Sequence, residues 1–316
     1  MDSRLPLDTR ATVLMLVFCL VLGMQQITIK ATADDISPVL QIALRSGISA
    51  LLVGLFMQLR GTRLTFSDGS WKAGLLAGAL FATEYLLMGE SLRHTSASHV
   101  VIFMYTAPLF AALGLHFTVA SERLAPLQWL GILLAFGGIA IAFLGSATQT
   151  DQPDVLSMLW GDTLALLAGA AWGMTTVILR TTRLSRLPAT HTLMYQLVVA
   201  FVVLMIFAIW QGQTTFNPTP EVWASLAFQS VVVSFASLLL WFWLLQHYLA
   251  SRLGAFSFLT PLFGAAFGAW LLNEPIEPRF LLGALFVLTG IVLVSGYTTV
   301  QQALAYLKHR AGPKTT

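Results

Sequence analysis

The chain has 316 residues, 57% of them hydrophobic and 10% charged, and a formal net charge of +3. A soluble domain carries about 25% charged residues, so this chain lacks the polar surface that a water-soluble fold of its size needs. With a mean hydropathy of +0.78, the composition excludes an ordinary soluble enzyme, a disordered protein and a nucleic-acid binder.

A membrane span takes about 20 apolar residues. Read in chain order, the apolar runs predict ten spans, at 11–30, 38–59, 71–92, 96–118, 126–146, 159–180, 189–210, 222–246, 251–272 and 280–298. The first run ends near Ala31-Thr32-Ala33 and competes with a cleavable signal peptide; its length and Lys30 favour a retained span. The connections are short and carry turn formers: Asp34-Asp35, Gly61, Ser67-Asp68-Gly69 and Asn217-Pro218. The longest, 147–158, holds Asp151, Pro153 and Asp154. One cysteine, Cys19, leaves no intramolecular disulfide.

Basic residues collect on alternate connections. Thirteen fall on one side, among them Arg4, Arg10, Arg60, Arg63, Lys72, Arg123, Arg180, Arg183, Arg186, Arg252 and Lys314; three, Lys30, Arg93 and Arg279, fall on the other; Arg45 lies inside a span. The basic side is expected in the cytoplasm. Both termini are then cytoplasmic, in a multi-pass protein of a bacterial inner membrane.

The two halves repeat. Gly23-Met24 through Lys30 resembles Gly173-Met174 through Arg180, 150 positions on. His94, Ala97, Ser98, Pro108, Leu109 and Phe110 recur as His247, Ala250, Ser251, Pro261, Leu262 and Phe263, and Glu122, Gly131 and Gly138 recur as Glu274, Gly283 and Gly290. Five spans per copy is an odd number, so the second copy enters the membrane from the opposite side. The expected fold is all-α and integral to the membrane: ten transmembrane helices as two inverted five-helix repeats around a central cavity. The expected units are 1–147, 148–300 and a basic tail, 301–316. Transporters use such repeats to open one site to either side in turn.

The chain resembles the drug/metabolite transporter superfamily, in its ten-span EamA-type branch. The resemblance rests on Ser98 through Pro108 to Glu122-Arg123-Leu124, on Gln128-Trp129-Leu130-Gly131, and on the second copy, Ala250-Ser251-Arg252 through Pro261 to Leu272-Asn273-Glu274-Pro275. Gly161-Asp162 with Trp172, and Pro38 with Arg45, also fit. Leu22-Gly23 departs from the Trp-Gly pair frequent in span 1 of the family. The resemblance implies two bundles around a central cavity, spans 5 and 10 at the periphery, and export of amino acids, related metabolites or drugs by a secondary process.

An ionisable group at bilayer depth is a functional candidate by default. Glu84, in the middle of span 3, can exchange a proton against substrate or hold a substrate ammonium; the competing reading is helix–helix glue. Arg45 can pair with Glu84 or bind a carboxylate; the family resemblance implies a framework role for it instead. The expected cavity lining adds Gln25, Gln26, Tyr85, His99, Tyr105, Trp172, Tyr195, Gln196 and Trp241. Trp210, Trp223 and Trp270 sit near span ends, as belt residues do. Pro108 and Pro261 interrupt matched spans, as a gate hinge or a static bend. Gly131, Gly138 and Gly145, echoed by Gly283 and Gly290, predict close helix packing. Glu122 and Glu274, at turns entering spans 5 and 10, are read as stabilising helix ends.

No phosphate-binding loop, metal-ligand cluster or catalytic triad pattern is visible, so no cofactor or metal is expected. The reading is a secondary exporter of amino acids or related small metabolites, working by alternating access with proton coupling as an option, as a monomer or homodimer. Its partners are a small molecule and the bilayer. Uptake or exchange is the alternative within transport, and a membrane enzyme or scaffold the alternative outside it.

Overall fold

The computed structural model describes residues 5, 7–62, 69–95, 97–143, 155–272 and 278–311. The expected boundary at 147/148, Arg4, Arg63, Ser67-Asp68, Gly145, Asp151, Pro153, Asp154, Asn273-Glu274-Pro275 and Lys314 lie outside the described residues. The described chain is helical apart from turns and two isolated bridges, Leu5 with Tyr248 and Ile36 with Phe216. Its helices are α1 (Thr9–Ala31), α2 (Pro38–Leu59), α3 (Ser70–Ser91), α4 (Ala97–Met104), α5 (Ala107–Thr118), α6 (Pro126–Phe143), α7 (Val155–Thr181), α8 (Ala189–Trp210), α9 (Pro220–Ala227), α10 (Leu238–His247), α11 (Ala250–Ser257), α12 (Leu259–Leu272) and α13 (Pro278–Ala311). A π-helical stretch, Phe228–Ser237, joins α9 to α10.

Among the described residues, seven helical stretches are long and apolar enough to cross a membrane: Thr9–Ala31, Pro38–Leu59, His99–Thr118, Val155–Thr181, Ala189–Trp210, Pro220–His247 and Ala250–Leu271. Pro126–Ala142 and Pro278–Val294 are apolar but shorter. The helix α3, 22 residues long, carries Lys72, Glu84 and Glu90. Outward-facing Leu51, Leu59, Phe117, Leu156, Trp210 and Trp270 are each more than 70% exposed. Apolar exposure on that scale suits lipid, not water. The chain is a multi-pass helical membrane protein.

Local sequence sets the helix ends. Pro38, Pro126 and Pro278 open α2, α6 and α13, where a missing N–H costs nothing. Gly61 and Gly212 close α2 and α8 with φ of 66° and 67°. In both caps the glycine N–H and the next N–H bond back into the last turn, Gly61 to Gln58 and Thr62 to Met57, Gly212 to Ile209 and Gln213 to Ala208. Pro108 and Pro261 offer no N–H to the carbonyls of Met104 and Ser257, and those residues end α4 and α11. The last helix runs through to Ala311, beyond the expected span end at 298. No glycine or proline interrupts it between Tyr297 and Ala311.

The packing forms two groups. In one, α7 packs on α3, α4 and α5; in the other, α1 packs on α12, α11, α10 and the π segment. Contacts of α2 with α8 and the π segment, and of α3 with α8, join the groups. Glycines permit the close approaches. A Cβ at Gly173 of α7 would lie 2.6 Å from the Phe110 Cβ and 2.7 Å from the Ala107 oxygen; one at Gly23 of α1 would lie 2.9 Å from the Phe263 Cβ and from the Gly264 nitrogen.

The closest seam joins α6 to α13. A Cβ at Gly131 would lie 2.7 Å from the Gly290 oxygen, and one at Gly138 would lie 2.6 Å from the Gly283 oxygen. Rising numbers on one helix meet falling numbers on the other, so the two run antiparallel. Gly138→Ala should destabilise the protein by about 1–3 kcal/mol, because the backbone on both sides cannot yield as a side chain can. Gly137→Ala, with nothing within 4 Å of its Cβ, should be neutral or gain up to about 1 kcal/mol of helix propensity. Thermal unfolding in detergent compares them; equal midpoints would refute this account of the seam.

Candidate functional site

The two ends of the bundle are distinguishable from their contacts. At the N-terminal end, Leu5 N–H donates to the His247 carbonyl at 2.9 Å. Asp8 caps α1 by accepting from Ala11 N–H at 2.7 Å, and it also accepts from the Tyr248 hydroxyl. The Ala11 N–H holds the Asp8 carboxyl below the usual carboxylate range. At the opposite end, Ser91 donates to the Gly161 carbonyl at 2.7 Å, and Asn217 N–H donates to the Asp35 carbonyl at 2.8 Å.

A polar network lies inside, nearer the opposite end. Gln41, Arg45 and Ser49 recur every four residues along one face of α2. Gln41 Nε2 donates to Ser225 Oγ at 2.6 Å, Arg45 Nη1 to Gln229 Oε1 at 2.7 Å, and Ser49 Oγ to the Ser230 carbonyl at 2.8 Å. Gln229 continues the network to α1, donating to Thr28 Oγ1 at 2.7 Å and to the Gln25 carbonyl at 3.1 Å. Arg45 Nη2 donates to the Tyr85 hydroxyl at 2.8 Å, and the guanidinium lies 5.2 Å from that ring's centroid. Arg45 thus bridges α3 in one group and the π segment beside α1 in the other. Its hydrogen bonds among the described residues go to Gln229 and Tyr85, not to Glu84.

Glu84 is 7% exposed, and its Oε2 is buried without a hydrogen-bond partner among the described residues. Arg45 is near enough to act on it electrostatically. Toward the N-terminal end lies an aromatic group. Tyr105 meets Trp172 edge to face at 5.6 Å between ring centroids, and Trp241 stacks on Phe18 at 5.2 Å. Trp172 and Trp241, with Pro108, Thr176, Ala250 and Gly254, line a cavity of about 10 Å³ between the groups. That is room for about one water, far less than the central cavity expected from the sequence.

The remaining candidates lie elsewhere. Gln26 is exposed on α1. His99 is half-buried, with Nδ1 at 3.1 Å from both oxygens of Asp162, and Thr95 donates to Asp162 at 2.7 Å. That cluster ties α4 to α7. Tyr195 and Gln196 are buried on α8; the Tyr195 ring fills the space beside Gly74 of α3. Neither Tyr195 Oη nor Gln196 Oε1 has a hydrogen-bond partner among the described residues. Glu122 does stabilise a helix end, but the end belongs to α11, not to the α6 it precedes. Gln229 and Thr28 were not among the sequence candidates; the repeating polar positions on α2 are the signal that leads to Gln229.

The model of the EamA-like transporter family matches the chain twice, over residues 9–144 and 159–296. The chain belongs to the EamA-like transporter family, within the drug/metabolite transporter superfamily. This EamA-like chain is 26% identical over 305 residues to the uncharacterized transporter YvbV of Bacillus subtilis, covering 96% of this chain and 97% of that one. It is 23% identical over 276 residues to the uncharacterized transporter YoaV of the same organism, covering 87% and 92%. A solved crystal structure of a protein superimposes with a TM-score of 0.77 at 15% identity, over 92% of this chain and 97% of that one, a likeness of fold.

Proposed function

We propose that this EamA-like protein is a secondary transporter that exports amino acids or related small metabolites from the cytoplasm by alternating access, with proton exchange at Glu84. Ten membrane-crossing segments form two inverted five-helix repeats, 1–147 and 148–300. The observation that carries the reading is the buried Glu84 carboxyl with an unpartnered oxygen between the two helix groups. Such a group in a membrane interior is held there for an ion or a ligand.

The repeat is supported by packing. Exchanging the halves turns the contact of Gly23 with Phe263 into that of Gly173 with Phe110, and the α2 cap into the α8 cap. The equivalent helices α6 and α13 run antiparallel, as inversion requires. The excess of basic residues on one side supports cytoplasmic termini in a bacterial inner membrane. The protein acts there as a monomer or homodimer.

A panel of metabolites tested for flux into proteoliposomes, with and without an imposed proton gradient, tests the function. No flux for any small metabolite under either condition would contradict it. Once a substrate is found, it should alter the fluorescence of Trp172 and Trp241, read in variants keeping only those two of the nine tryptophans. An unchanged spectrum at saturating substrate would remove both from the pathway.

A further inference from the structure

Glu122 follows α5 in a tight turn, Ala120–Glu122, and is 1% exposed. A carboxylate buried that deeply needs strong compensation. Part of it comes from α7: Arg180 donates from Nε to Oε1 at 2.9 Å and again from Nη2. Further donors come from α11: Ala250 N–H at 2.8 Å, Ser251 N–H at 3.1 Å and Ser251 Oγ at 2.6 Å. The two main-chain donors are among those that a helix start leaves without intrahelical partners.

The donors divide between the two helix groups. Arg180 and Glu122 belong to the α3–α4–α5–α7 group; Ala250 and Ser251 belong to the group around α1. Ala250 also lines the small cavity that Trp172 and Trp241 line. The carboxylate therefore bonds a residue that lines the cavity and joins the two helix groups beside it.

The chemistry on the two sides differs. Arg180, on Glu122's own side, pairs directly with the carboxylate, while the far side offers the Ala250 and Ser251 donors and the charge of Arg252, near enough to act on Glu122 electrostatically. If the walls part, water replaces three neutral donors and the ion pair stays intact. Glu122 keeps its directly bonded cationic partner, Arg180, when it parts from Ala250 and Ser251, so the carboxylate is not left without a counter-charge.

We infer that Glu122, held by Arg180, is the latch of the N-terminal gate: its bonds to Ala250 and Ser251 close the cavity to that face and break when the cavity opens there. The inference rests on the transport reading given above.

A single cysteine placed at Thr176, which lines the cavity, tests it in a Cys19→Ala background. A membrane-impermeant maleimide is applied to inside-out and to right-side-out vesicles. Ser251→Ala removes one bond to the carboxylate and keeps the ion pair and the main-chain bonds, so it leaves the fold intact. Labelling from the N-terminal face should rise about tenfold, as expected for losing a charge-assisted hydrogen bond. Glu122→Gln, where it folds, should raise it further, and labelling from the opposite face should not rise in either variant. A Ser251→Ala rate within twofold of the parent, or an equal rise from both faces, overturns the latch. If the parent is labelled slowly from both faces and neither variant changes this, the latch fails while the transport reading stands. If no protein is labelled from either face, the alternating chamber fails with it.

Discussion

Glu84→Gln protein, reconstituted in liposomes, should fold and elute like the parent yet carry flux that ignores an imposed pH gradient. Glutamine matches glutamate in size and cannot ionise. The Glu84 Oε2 accepts no hydrogen bond among the described residues, so the exchange removes titration and breaks no contact to that oxygen. Gradient-driven accumulation should fall to the level of empty liposomes, while exchange of substrate without a gradient continues. The second role open to Glu84, holding a substrate ammonium, predicts the reverse split: weakened substrate binding with gradient dependence kept. Gradient dependence unchanged from the parent, at unchanged substrate affinity, would eliminate both roles.

The largest loss of stability is expected from Arg180→Ala. It leaves Glu122 buried without the guanidinium that pairs with it directly. Breaking a buried pair by removing one partner costs about 3–5 kcal/mol, and the bonds from Ala250 and Ser251 place this case toward the lower end. Arg180→Lys keeps the charge but loses the planar fork that presents Nε and Nη2 together, so it should fall between parent and alanine. Thermal unfolding in detergent reads all three. A midpoint for Arg180→Ala equal to that of Gly137→Ala would mean that the pair contributes nothing.

The features written in local order could be read before the fold was known. The sevenfold glycine spacing predicts close packing, and Gly131 and Gly138 do meet Gly290 and Gly283. The matched Pro108 and Pro261 each follow a helix break. Glu84 stands out because its apolar neighbours make it costly. Partnerships across the chain were not legible: Glu122 is 58 residues from Arg180 and 129 from Ser251, and a turn between two spans gives no sign of either. Gln25 and Gln26 could not both face inward, since adjacent residues on a helix point about 100° apart; the structure buries Gln25 and exposes Gln26. Gln229 escaped notice because it lies in the π-helical stretch, where the usual spacing of faces does not hold. The regular Gln41, Arg45 and Ser49 positions facing it were available in the sequence.

The glycine seam between α6 and α13 bears on how motion in this protein can be measured. Where Gly131 and Gly138 meet the carbonyls of Gly290 and Gly283, the two backbones touch, with Val294 and Val287 packed against the glycines. A lengthwise slip would press Val294 and Val287, already packed against the glycines, into the opposing backbone, so the pair keeps one register as the rest rearranges. Spin labels on its outward-facing Leu133 and Leu285 should therefore hold a constant separation in every state. The molecule carries its own fixed ruler, against which displacements of α1 and α7 can be gauged.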